Sequence, residues 1–125
     1  MIREEKILNI AMAEGDYNVY LPIYFVFADS SQSIAETDSV TITIAKIYNV
    51  NGMEAQETLL EKTFTGITNN TLNLFFTEEE SNMLPKGQYR YSLDWWRDGE
   101  FMCNLIERQI FSVRDKVSLE DEDES

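Results

Sequence analysis

A chain of 125 residues that is 43% hydrophobic and 12% aromatic is the size of one packed domain and too apolar for a disordered segment. Its 10 Lys and Arg against 23 Asp and Glu give a net charge of -13, which argues against nucleic acid or anionic lipid as a partner, because binding either needs clustered positive charge. With His 0 and Cys 1, the chain has no His-assisted nucleophile, no ordinary zinc ligand set and no intrachain disulfide.

In chain order, Ile7 to Asp16 carries Ile7, Leu8, Ile10 and Met12 and closes on Gly15-Asp16, a strand ended by a turn. Tyr17 to Phe27 alternates more clearly. Tyr17, Val19, Leu21, Ile23, Phe25 and Phe27 share one face, and Tyr20, Tyr24 and Val26 lie on the other. Both faces being apolar, the strand is either covered on both sides or offers its second face to another chain, and Pro22 places it at a sheet edge or a bulge. Ala28 to Ser39 is polar and longer than an ordinary hairpin loop, so it is expected to be exposed.

Val40, Ile42 and Ile44 resume the alternation, and Lys46-Ile-Tyr-Asn49 breaks its phase, which predicts a bulge or strand end. Asn51-Gly52 is a two-residue hairpin turn, because both residue types tolerate the positive φ it needs, and the return strand is read as Gln56 to Phe64. After the turn cluster Thr65 to Asn70 come Leu72, Leu74 and Phe76. Thr77 and Glu80 have the spacing of a helix capping box, with a stop at Pro85. Tyr89, Tyr91, Leu93 and Trp95 then align on one face of a long strand, and Asp98-Gly99 turns it back into Phe101, Cys103 and Leu105, read as core-facing. An irregularity is expected at Glu107-Arg-Gln109 before Phe111 and Val113.

About seven strands with a turn signal every ten residues or so and one short helical turn near 77–84 predict a single all-β, Ig-like antiparallel β-sandwich over residues 1–114. Residues 115–125 read as an acidic disordered tail. The N-terminus lacks a secretory signal's apolar stretch and cleavage site, and Tyr20 to Ala28 is far shorter than the roughly 20 residues of a membrane helix, so no membrane association is expected.

Chemistry is sparse. Asp94, Asp98 and Glu100 beside the tryptophans are the only paired carboxylates of note, and in so acidic a chain such proximity is expected without function. Asp29, Glu36 and Asp38 could form a loose Ca²⁺ site, but a solvated loop is the simpler reading. No catalytic, cofactor-binding or metal residues are assigned. Trp95 and Trp96 point to opposite faces of their strand, which puts Trp96 with Arg90, Ser92 and Asp94 on a polar face. The candidate interface residues are Trp96, Tyr20, Tyr24 and Arg90, since tryptophan and tyrosine are enriched where proteins meet and also stack on sugars.

Three segments carry a resemblance: Ile10 to Asp16; Leu72 to Leu93, with its Thr77-Glu-Glu79 turn, Leu84-Pro-Lys-Gly87 and Tyr89-Arg-Tyr91; and Asp98 to Val113, ending in Phe111-Ser-Val113. Together they resemble small Ig-like β-sandwich structural proteins of tailed bacteriophages and prophages, across most of residues 7–114. Glu107-Arg108 stands where those proteins usually have a Gly before the last strand. The resemblance implies a non-enzymatic virion or assembly role in a tail, baseplate or neck, made in the bacterial cytoplasm. The implied partners are other virion or assembly proteins and possibly a second copy, with no cofactor, nucleic acid or membrane. A carbohydrate-binding or host-recognition module is the alternative.

Overall fold

Burial along the long strand follows its alternation: Tyr89, Tyr91, Leu93 and Trp95 are all buried, while Arg90, Ser92, Asp94 and Trp96 are only half-buried. This strand is the axis of the fold. The computed structural model describes residues 9–16, 20–29 and 31–114; the expected tail, Ile7, Leu8, Tyr17 and Val19 lie outside them. The described elements are β1 (Ile10–Ala13), β2 (Leu21–Tyr24), β3 (Ser39–Val50), β4 (Met53–Phe64), β5 (Thr71–Leu74), α1 (Glu78–Ser81), β6 (Gly87–Arg97) and β7 (Glu100–Arg114). They form a five-stranded sheet in the order β1-β7-β6-β3-β4 and a two-stranded sheet of β2 and β5. This is an all-β sandwich. Every pairing is antiparallel except β1 with β7, which run parallel with Ile10 opposite Phe111.

The core fills the space between the sheets. Val40, Ile42 and Ile44 of β3, the β6 row, and Phe111 and Val113 of β7 meet Ile23, Phe25, Leu72 and Leu74 from the other side. Phe111 stands edge-on to both Phe76 and Tyr91, at 5.8 and 6.0 Å between ring centroids. That arrangement suits the ring quadrupoles as well as burying apolar surface.

Both two-residue turns form as the sequence indicates, with Asn51 and Gly52 at φ 53 and 78 and Asp98 and Gly99 at φ 53 and 79. Positive φ at both positions matches the right-handed twist of the flanking strands. The break after Ile44 is a register shift between Ile44 and Ala45, after which β3 continues to Val50 paired with β4 alone; its partnership with β6 ends at Ala45 and Arg90. The β3–β4 hairpin therefore projects beyond β6 as an arm, and β4 starts earlier than the sequence suggests, at Met53.

The irregularity in β7 is a bulge, with the register to β6 shifting between Tyr91 and Leu93 and Arg108 at φ 54. Arg108 takes the left-handed conformation that a glycine would adopt without strain. Further shifts follow toward the hairpin, and the one between Trp95 and Trp96 pairs Trp96 with Phe101. Phe101 consequently faces outward and is 54% exposed, which corrects its expected place in the core; Leu105 is buried and Cys103 is half-buried against the core. Burial pushes the Cys103 thiol pKa up, away from reactive thiolate character.

The helical turn is set by its cap. The Glu80 amide donates to Thr77 Oγ1 at 3.2 Å and the Thr77 amide to Glu80 Oε1 at 2.8 Å. Lys62 Nζ of β4 then reaches the same Glu80 oxygen at 2.7 Å and the Phe75 carbonyl at 2.9 Å, tying the turn to the sandwich. Replacing Thr77 with alanine is expected to cost about 1 kcal/mol, with serine close to neutral, as read from urea unfolding midpoints.

Candidate interaction surface

The long loop before β3 is less exposed than its polarity suggests. Ile34 and Asp38 are both buried, Asp38 to 1% exposure, and the reason for Asp38 is a set of donors converging on its carboxylate. Trp95 Nε1 donates to Oδ2 at 2.9 Å, the Ala35 amide to Oδ2 at 2.8 Å, and Arg97 supplies Nη2 to Oδ2 at 2.9 Å and Nε to Oδ1 at 3.0 Å. The same Arg97 Nη2 donates to the Ser33 carbonyl at 3.0 Å. These bonds, those from Arg97 foremost, hold the Asp38 carboxyl below its ordinary pKa against the opposing effect of burial. The Asp29, Glu36 and Asp38 grouping does not assemble as a cation site, because Asp38 turns inward to Trp95 and Arg97. Among the described residues no group of three or more His, Cys, Asp or Glu is placed to hold a metal ion.

Trp96 lies half-buried on the outer face of the five-stranded sheet, edge-on to Phe101 at 5.5 Å between centroids. Tyr20 and Tyr24 lie on the opposite side of the molecule. Ile23, Phe25 and Phe27 face the core, so the alternate positions Tyr20, Tyr24 and Val26 face out from the two-stranded sheet, at 62%, 66% and 52% exposure. Among the described residues nothing covers this second face. Tyr20 rests on Phe75 at 5.1 Å. The hydrogen-bonded strand is shorter than the alternation implies, because beyond Tyr24 the Phe25 amide bonds the Asn70 carbonyl at the edge of a turn. Pro22 occupies an edge strand, since β2 pairs only with β5 among the described residues.

Next to this strip a groove of about 680 Å³ opens between β7 and the segment formed by β2 and the two residues after it, lined by the consecutive residues Leu21 to Val26 and Asn104 to Glu107. Consecutive residues alternate sides, so only a strand edge presents all of them; the groove is the open flank of the sandwich. Among the described residues its lining holds no Lys or Arg, and the one charged residue there is Glu107.

Arg90 shares the outer face with Trp96 but stands six residues away along β6, roughly 20 Å at strand spacing. It borders a separate cleft with Arg108. The four candidate residues thus fall in three places, and only Tyr20 and Tyr24 are brought together. The sequence reading missed Phe101 and Leu21 as exposed apolar groups, and it missed the groove. Phe101 was hidden by the bulge count, and the groove depends on how the sheets splay apart, which no local pattern reports.

No helix among the described residues is long and apolar enough to cross a membrane. Comparison with known proteins returns no match: no family model, no curated protein and no solved structure matches this chain. The fold and surface thus define an all-β sandwich with an exposed apolar strip beside an open flank, as far as the described residues run.

Proposed function

We propose that this chain is a non-enzymatic assembly domain of a tailed-phage or prophage particle, acting in a tail, baseplate or neck by docking a neighbouring virion protein on the outer face of β2. The observation that carries the reading is the uncovered strip of Tyr20, Tyr24 and Val26, continuous through Leu21 with the groove. Tyrosines exposed in a row on a sheet face expose apolar surface without a fold-internal reason, and such surface is what protein interfaces bury. The resemblance of residues 72–93 and 98–113 to phage sandwich proteins supplies the setting. With no Lys or Arg among the described residues of the groove and a chain charge of -13, the fitting partner carries an apolar patch ringed by Lys and Arg, and like-charge repulsion disfavours a second copy.

The test pairs the purified chain with the products of its neighbouring genes in titration calorimetry, with light scattering at several concentrations to detect self-association. A Tyr20→Ser, Tyr24→Ser variant is expected to bind at least tenfold more weakly with its unfolding midpoint unchanged. Equal binding by the variant, or no binding by any neighbouring product, would remove the proposal; a hit on a glycan array that depends on these tyrosines would replace it with sugar recognition.

A further inference from the structure

Where the β3–β4 arm leaves β6, beyond the last pair of Ala45 and Arg90, a cleft of about 380 Å³ separates Ile47 and Glu54 of the arm from Gln88, Arg90 and Arg108 on β6 and β7. The chain's charge makes the state of its cations informative. Among the described residues Lys62 holds Glu80, Arg97 holds Asp38 and Arg108 holds Glu54, at 2.7, 2.9 and 2.6 Å. Arg90, like Lys46 and Arg114, forms no ion pair with a carboxylate of the described residues, and of these three it alone borders the cleft. It is half-buried and donates one long bond, Nη1 to the Arg108 carbonyl at 3.4 Å. A guanidinium carries five donors in a flat fork, so most of its bonding capacity is unspent here, in a chain with more than two acids for each base.

A second feature points to the same place. Arg108 holds a positive φ of 54, a conformation that is strained for an arginine and not for a glycine. That strained backbone is pinned by the Arg108 amide donating to Ser92 Oγ at 3.1 Å, and it aims the side chain across the cleft to Glu54. Two guanidiniums from adjacent strands thus border one cleft, one neutralised by Glu54 and one not.

We propose that this cleft is a receptor for a single carboxylate, presented by an acidic side chain or chain terminus of a docked partner, with the Arg90 fork as its principal donor and Arg108 as the second. A carboxylate matches the fork with two parallel N–H to O bonds, and such charge-assisted pairs are about twice as strong as neutral ones. The proposal deepens the docking reading by giving the partner a second contact, on the other outer face, of opposite charge to the first. The carboxylate site can nevertheless be measured without any partner.

The experiment titrates the full chain with acetate, inorganic phosphate and, as control, chloride at fixed ionic strength, following the arginine Nε–Hε resonances by NMR. Acetate is expected to give a saturable shift of the Arg90 resonance, with Arg90→Gln at least tenfold weaker and Arg90→Lys several-fold weaker because the fork is lost. Retained amide spectra in both variants would show that the fold is intact. A shift that chloride reproduces, one that survives Arg90→Gln, or one that phosphate saturates at lower concentration than acetate would overturn the carboxylate assignment. If acetate binds at Arg90 while every neighbouring gene product fails to bind, the site stands and the docking reading falls.

Discussion

Asp38→Ala is expected to lower the unfolding free energy by about 3–5 kcal/mol, the range for removing one partner of a buried ion pair. The substitution leaves Trp95 Nε1, the Ala35 amide and the Arg97 guanidinium without their shared acceptor, and the indole is only 1% exposed. The Arg97 side chain keeps 40% exposure, which puts the result nearer the lower figure. Asp38→Asn keeps an acceptor for the indole and is expected to cost less. Against a typical domain stability of about 5–15 kcal/mol, the alanine loss is visible as a large drop in urea midpoint.

The same residue fixes a pH dependence. Its carboxyl pKa in the folded chain lies below the ordinary aspartate value of 3.8, so the unfolded chain takes up the proton first as pH falls. The stabilisation from Asp38 is therefore complete above about pH 4 and is lost as pH falls through the folded value. Unfolding midpoints of wild type measured from pH 6 down to pH 2 should fall more steeply than those of Asp38→Asn. Parallel curves would mean that the ionised pair contributes nothing.

Phe111→Ala is the second large effect, expected to cost about 3–5 kcal/mol. The ring is wholly buried and stands edge-on to Phe76 and Tyr91, and its backbone lies between β1 and β6, opposite Ile10 on one side and Tyr89 on the other. Strands held on both flanks cannot collapse into the void, so the cavity term is expected nearly in full. Phe111→Leu is expected to lose much less. A loss below about 2 kcal/mol for alanine, with an unchanged denaturant slope, would show that the core relaxes around the site.

What could be read from sequence was whatever a few neighbouring residues decide. Asn51-Gly52 and Asp98-Gly99 announce turns because positive φ is a property of the residues themselves, and Thr77 with Glu80 announces a cap because both bonds close within one turn. The β6 row was legible because the strand is regular over its whole length. Asp38 was not, since its place depends on Trp95 and Arg97, 57 and 59 positions away. Phe101 was misplaced because alternation was carried from Leu105 through Cys103 to Phe101 without the extra residue that the register shift beside Trp96 inserts, and such a residue reverses the faces beyond it. Of the candidate site, the aromatic character of Tyr20 and Tyr24 could be read, but their exposure depends on what packs outside the two-stranded sheet, which no local pattern reports.

The parallel ladder between β1 and β7 has a consequence for how the molecule is made. Ile110 donates its amide to the Asn9 side chain across 101 positions of sequence, and the Glu14 amide reaches the Arg114 carbonyl. On the ribosome the β3–β4 hairpin can zip early, but β1 waits for a neighbour that is synthesised only after every other strand of the domain. Such long-range closure is the slow step of β-sandwich folding, which takes about milliseconds to seconds. Until residue 114 has emerged, β2 rests on an unfinished opposing sheet. Completion of the core behind Tyr20 and Tyr24 is thereby timed by translation through β7, the last strand to leave the ribosome.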